Sequence, residues 1–282
     1  MKNKEELLKD FKKANSARKL KLAEKNGFTT TNEYLEFLQG KKALKKKEDT
    51  VKLDYIVAFD TTGSMNSYIE DVKKHVRELI PEMFSKDMDL NMRIIAFGDY
   101  CDMKSSTDFG YAYQESEFTN NENELIKFVN GAKNTSGGDT DEFYELVIKK
   151  ITEETPWRYG SKRVVLLIAD ETPHYVGYSY GKIVQDARID WKTEAKKANE
   201  LGISFDTLSI HGRPWYKQLS EITNGVNMPF KSSNKMAEVV TASAYVRGSI
   251  KSKAAFSAKM ASATMDGDEE LIGTYKSLSK LL

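Results

Sequence analysis

The chain has 282 residues, 40% of them hydrophobic and 30% charged, with a formal net charge of +1. That length suits one large domain, or one domain with an appendage. A single cysteine, Cys101, excludes an internal disulfide, and the chain has no run of about 18 apolar residues of the kind a membrane-spanning helix needs.

The start, MKNKEELLKDFKK, lacks the apolar centre of a secretory signal. Together with the lone cysteine this leads to the expectation of a cytoplasmic protein. Charge is unevenly placed. Residues 1–50 hold 14 basic and 8 acidic side chains, a balance of +6, and the remainder carries −5. The leader's lysines interleave with Glu5, Glu6, Asp10 and Glu24. That mixture favours a solvated helix surface over a nucleic-acid or anionic-membrane contact.

In chain order, residues 3–26 read as a weakly amphipathic helix stopped at Asn26-Gly27. Thr30 and Glu33 form a capping-box pattern ahead of a short helix over 32–38. A charged linker follows at 41–50. From residue 51 strands alternate with helices. Strand 53–59 leads to a helix with apolar residues at Ile69, Val72, Val76, Leu79, Ile80 and Met83, and then to strand 91–97. The alternating FGYAY at 109–113 predicts an antiparallel edge strand. Helices follow at 122–132 and 141–151, and RVVLLIA at 163–169 is the strongest buried strand. Helix 186–201, strand 203–210, helix 215–223 and a short strand at 228–230 complete the alternation, with a helical tail behind them. The domain reading is a basic helical leader and linker at 1–50, an α/β domain at 51–247 and a tail at 248–282. The fold expected is a doubly wound, three-layer α/β sandwich with a mostly parallel central sheet and one antiparallel edge strand.

In such sheets ligands bind beyond the carboxyl ends of strands, where strand order reverses. Asp60, Asp99, Asp170 and His211 all fall just past predicted strand ends. Asp60, Thr62 and Ser64 can converge where the first strand turns into a helix. Oxygen ligands of this kind suit Mg²⁺, with Mn²⁺ or Ca²⁺ as alternatives. His174 and His211 have no partner legible at this level and read as structural. His75 reads as a surface residue on a helix.

The segments DTTGS (60–64), SGGDT (136–140) and ADETP (169–173) resemble the metal-ion-dependent adhesion site of von Willebrand factor A (vWA) domains. The resemblance covers about residues 51–247. Asp60, Thr62 and Ser64 match the family's Asp-x-Ser/Thr-x-Ser motif, and Asp170 matches its later aspartate. The chain departs from the pattern where Asp139, followed by Thr140, replaces the usual threonine. DTTGSM, GDYCD and GGDTDE together resemble a subgroup that includes the A domains of hemicentins and of proteins with atypical alpha-kinase domains, although this chain has no kinase segment. The resemblance implies a cation held by Asp60, Thr62, Ser64, Asp139 and Asp170. It also implies a protein partner, such as an AAA+ ATPase or a multi-protein assembly. Asp99, Thr140, Glu171, Tyr175, Tyr178 and Tyr180 are candidate partner-binding residues around it. A third carboxylate at position 139 would make the cluster anionic, holding the cation without needing an acidic side chain from the partner.

The function expected is a metal-dependent interaction module acting as an intracellular adaptor, without catalysis. The alternatives are an assembly component of a large particle such as a phage and, less favoured, a metal-dependent phosphatase. A haloacid-dehalogenase-type phosphatase needs a second aspartate two positions after the nucleophile. Thr62 stands there.

Overall fold

The computed structural model of the chain describes residues 4–14, 16–25, 31–39, 51–84, 89–229 and 235–282. The Asn26-Gly27 stop, the Thr30 cap, the linker at 41–50 and the last residue of the short strand, Phe230, lie outside the described residues. The chain divides into two compact units, Met1–Thr50 and Val51–Leu282. In the first, helices α1 (Lys4–Lys13), α2 (Ser16–Lys25) and α3 (Thr31–Leu38) share a small core of Phe11, Ala23, Tyr34 and Leu38. Phe11 meets Tyr34 edge to face at 5.2 Å. The single helix expected over 3–26 is broken in two, which lets Phe11 and Ala23 reach the same core.

The second unit runs β1 (Lys52–Asp60), α4 (Ile69–Phe84), β2 (Asp89–Phe97), β3 (Tyr113–Glu115), α5 (Glu122–Gly131), β4 (Asp141–Glu142), α6 (Tyr144–Glu154), β5 (Lys162–Ala169), β6 (Thr172–Pro173), α7 (Trp191–Glu200), β7 (Ile203–Ser209), α8 (Pro214–Ile222), β8 (Asn227–Pro229), α9 (Met236–Arg247), α10 (Ile250–Met265) and α11 (Glu269–Ser279). Six strands form one sheet in the order β3-β2-β1-β5-β7-β8, and β4 pairs with β6 in a separate two-stranded ladder. Every pairing in the large sheet is parallel except β2 with β3. The chain is therefore a three-layer, Rossmann-like α/β fold, as the alternation of strand and helix predicts.

Both faces of the sheet are covered, which explains why β1 and β5 read as unbroken apolar runs. Along β1, Leu53, Tyr55, Val57 and Phe59 face a core built with α4, α5, α9, α10 and α11. Ile56 and Ala58 face the other core, built with α6, α7 and α8. Residues 248–282, set apart in the sequence reading as a tail, contribute Phe256, Leu271, Tyr275 and Leu278 to the first of these cores.

Three local expectations shift. The edge strand occupies 113–115, not 109–113, because the chain turns at Gly110 with φ +55°. The helix expected from 141 starts at Tyr144, since Asp141 and Glu142 pair with Thr172 and Pro173. His75 is not at the surface: it is 7% exposed, and its Nδ1 donates to Glu78 Oε2 at 2.9 Å. Its helix, α4, packs against both α5 and α9. Among the described residues no helix is long and apolar enough to cross a membrane.

A buried ion pair ties β7 to α9. Arg247 donates from Nη2 to Asp206 Oδ1 at 2.6 Å and from Nη1 to Asp206 Oδ2 at 2.7 Å. Ser243 and the backbone N–H of Val226 complete the shell around Asp206. Removing the guanidinium strands a fully buried carboxylate. Arg247→Met is expected to destabilise the second unit by about 3–5 kcal/mol, read as a shifted urea midpoint. A loss below about 1 kcal/mol, the range of exposed pairs, would show that this bond does not hold α9 to the sheet.

Candidate metal centre

Strand order reverses between β1 and β5, and their carboxyl ends carry Asp60 and, one residue beyond β5, Asp170. Both aspartates are fully buried. After Asp60 the chain leaves the sheet through a tight turn. Thr61 N donates to Phe97 O at 2.8 Å, and Thr62 donates to Asp60 Oδ1 from both its N–H and its hydroxyl at 2.7 Å. A short 3-10 turn, Gly63–Ser67, then brings Ser64 Oγ to 3.3 Å from Thr62 Oγ1. Tyr144, at the start of α6, donates to Asp60 Oδ2 at 2.5 Å and accepts from Glu171 N at 3.3 Å.

The loop ahead of β4 closes over this cluster. Gly63 N donates to Ser136 O at 3.0 Å and Thr135 N to Thr61 O at 2.9 Å. Asp102 fixes the same loop by accepting from Ser136 N at 2.8 Å and Gly137 N at 3.1 Å. The approach is close enough to require glycine: a Cβ on Gly63 would lie 2.9 Å from Ser136 O. Gly137, at φ +71°, leaves room for Glu142, whose Oε1 would be 2.9 Å from a Cβ there, with the Thr62 side chain at 3.3 Å.

The structure brings Asp60, Thr62, Ser64 and Asp170 together. The carboxylate that the 136–142 segment adds beside them is Glu142, 2% exposed. Asp139 is exposed and faces other groups: its Oδ2 accepts from Tyr178 OH at 3.0 Å, and it clusters with Asp99 and His174. Sequence reasoning passed over Glu142 because GGDTDE offers three acidic residues, and only burial distinguishes them. Thr140 is exposed. Glu171 accepts from Arg213 Nη2 at 3.0 and 2.7 Å and lies 3.4 Å from His211 Nδ1. Asp99 is buried against His174, which therefore has a partner that its position in the sequence did not disclose. Tyr175 and Tyr180 are 66% and 38% exposed, whereas Tyr178 is buried.

Electrostatics at the cluster favour protons or a cation. Burial pushes the Asp60 carboxyl up to about 7, against the opposing pull of its hydrogen bonds from Tyr144 and Thr62. Burial, with Asp60 and Asp99 adding repulsion, pushes Glu142 up to about 10. Asp170 is also raised by burial; the Ser64 hydroxyl pulls the other way but forms no hydrogen bond short enough to satisfy either oxygen. Both oxygens of Asp170 and Glu142 Oε2 are buried without a hydrogen-bond partner. Unpaired buried carboxylates are costly, and a hard cation with oxygen ligands is what such a donor set fits. Thr62 is buried while Ser64 is exposed, so the cluster opens to solvent at the Ser64 side.

No protein-family model matches the chain. It is 22% identical over 200 residues to an ariadne-like RING finger protein of Acanthamoeba polyphaga mimivirus, covering 65% of this chain and 19% of that one. It is 27% identical over 166 residues to the alpha-protein kinase vwkA of Dictyostelium discoideum, covering 53% and 25%. The chain thus spans a quarter or less of the length of the curated relatives it matches. In structure it is similar to the pilus adhesin SpaC from Lactobacillus rhamnosus GG, with a TM-score of 0.54 at 15% identity, covering 71% of this chain and 31% of that one. At that identity the likeness concerns the fold.

The raised carboxyls give a pH dependence of defined sign. A group that holds its proton more tightly when folded stabilises the fold at low pH and loses that contribution as pH rises from its unfolded to its folded pKa. For Asp60 that window runs from the ordinary carboxylate range, about 4, to about 7, and for Glu142 on to about 10. In chelator, the melting temperature is expected to be lower near pH 8 than near pH 6, and Mg²⁺ is expected to flatten the slope. Equal slopes with and without Mg²⁺ would show that the cation does not engage these carboxyls.

Proposed function

We propose that this chain is a metal-dependent protein-interaction module of the vWA type, acting as an intracellular adaptor. Asp60, Thr62, Ser64 and Asp170 would hold a Mg²⁺-like cation, with Glu142 as the added carboxylate. The observation that carries this reading is the set of unpartnered buried carboxylate oxygens at the strand-order reversal, open to solvent beside Ser64. When bound, the cation would supply a positive, coordinatively open point for a partner's oxygen group. Thr62 and Tyr144 orient Asp60, and the Arg213–Glu171 pair with Tyr175 and Tyr180 would form the rim a partner meets.

The fold of an adhesin and curated relatives many times longer than the matched segment both suit a module that binds within larger proteins or assemblies. An AAA+ ATPase or a multi-protein complex remains the partner class proposed. An enzymatic role is not favoured. Asp60, the only carboxylate placed as a nucleophile at the end of β1, has both oxygens engaged by Thr62 and Tyr144, and Thr62 stands where an acid–base aspartate belongs.

The added carboxylate changes what the partner must bring. Burial keeps Glu142 protonated near neutrality. It therefore contributes a third negative charge only when the cation draws its proton off, and an ionised Glu142 would satisfy the cation in place of an acidic group from the partner.

Affinity purification of the full chain from its native extract tests the reading. The partner set recovered with Mg²⁺ is expected to be lost both in chelator and with Asp170→Asn. An identical partner set under all three conditions would overturn the metal-dependent role. Comparison with Glu142→Gln is expected to weaken Mg²⁺ binding about tenfold or more, the cost typical of groups supporting a metal site.

A further inference from the structure

A second cluster lies on the same edge of the sheet and is chemically softer. Asp99 follows β2, Asp139 precedes β4, and His174 follows β6. Each offers a ligand atom, and the three atoms all lie within 4.8 Å of one another. His174 Nε2 donates to Asp99 Oδ1 at 2.7 Å. Asp99 is 0% exposed and its other oxygen has no hydrogen-bond partner, nor does His174 Nδ1. The Tyr178 ring stacks on the imidazole at 3.6 Å between centroids, and the Tyr100 ring lies 5.4 Å from the imidazole and 5.8 Å from Tyr178. Tyr178 also donates its hydroxyl to Asp139 Oδ2 at 3.0 Å. Asp139 itself is exposed, so the cluster has an open side.

No protonation state of the polypeptide alone satisfies these groups. A neutral His174 that donates from Nε2 leaves a bare lone pair on Nδ1 and an orphaned Asp99 Oδ2. A doubly protonated ring is favoured by the charges of Asp99 and the buried Glu145, yet its Nδ1–H has no hydrogen-bond acceptor and Oδ2 is still orphaned. A cation shared by the three residues takes up the carboxylate oxygen and the negative charge together. Two ligands about 2.1 Å from one cation stand at most about 4.2 Å apart, so atoms that lie within 4.8 Å of one another need only a small closure to complete the set. One imidazole with two carboxylates selects against Mg²⁺ and for a transition metal.

We propose that Asp99, Asp139 and His174 form a second, transition-metal site of the Zn²⁺ class, distinct from the Asp60 cluster. The bound ion pins three loops: the one after β2, the one before β4 and the aromatic loop after β6. It thereby fixes the floor under Tyr175 and Tyr180. Its position also accounts for an aspartate at 139 that the Asp60 cluster does not use.

Titration of the full chain with Co²⁺ as a spectroscopic substitute tests this. Asp60→Asn is expected to retain one equivalent of Co²⁺ with visible bands of a nitrogen-containing, low-coordinate site, undisplaced by excess Mg²⁺. Asp139→Asn, at an exposed position that leaves the fold intact, is expected to weaken Co²⁺ by more than the 10- to 100-fold (about) typical of supporting groups while sparing Mg²⁺ binding. His174→Gln is expected to abolish the bands. The proposal is overturned if Asp139→Asn binds Co²⁺ as the wild type does, or if Asp60→Asn binds none. Failure of the Asp60 reading would appear separately, as Mg²⁺ binding unchanged in Asp60→Asn.

Discussion

The edge of this sheet is organised by the burial of carboxylates where strand order reverses. Asp60 and Asp170 sit at the ends of neighbouring strands, and Glu142 is folded in beside them. None has a basic side chain bonded to it among the described residues; the closest is His211, 4.0 Å from Asp170. The chain partly offsets the cost at Asp60 with the Thr62 and Tyr144 hydrogen bonds and leaves Asp170 unsatisfied. Two buried acids elsewhere in the fold are treated differently: Asp206 is closed by Arg247, and Asp54 by Arg158 and Ser161. The sequence supplies counter-charges to these two and none bonded to the acids at the sheet edge, the arrangement expected of a site that takes up a cation.

The surrounding loops are shaped to keep that arrangement. Gly63 admits a backbone contact with Ser136 that a Cβ would block, Gly137 leaves room for the Glu142 and Thr62 side chains, and Asp102 accepts two backbone N–H groups to seat the same loop. The two-stranded β4–β6 ladder holds Glu142 inward and carries the chain on to His174 and the tyrosines. With both sheet faces filled by separate cores, the edge is a rigid platform. The groups with freedom to meet a partner are those on its outer rim.

Much of this was legible in the sequence, for a physical reason. A strand buried on both faces must be apolar throughout, so an aspartate that ends such a run announces itself, and Asp60 and Asp170 were identified on that ground. The Asp-x-Thr-x-Ser spacing then follows from the turn that the chain makes on leaving the sheet. Glu142 was not legible, because its inward position depends on a two-residue ladder with Thr172 and Pro173, far along the chain. Asp139 reads as a member of the first cluster for the same reason: only the folded loop sets it against Tyr178 and His174. The pairing of His174 with Asp99 joins residues 75 positions apart across two loops and has no local signature. The burial of His75 is likewise not legible, since the packing of α4 against both α5 and α9 is set by the fold and not by the local pattern.

The most direct test is a crystal structure grown in Mn²⁺, with an anomalous difference map. The predicted result is a strong peak bounded by Asp60, Thr62, Ser64 and Asp170, with Glu142 turned toward it. An ordered, ion-free edge in saturating Mn²⁺, with these carboxyls bonded to one another through shared protons, would contradict the view that the buried acids exist to hold a cation.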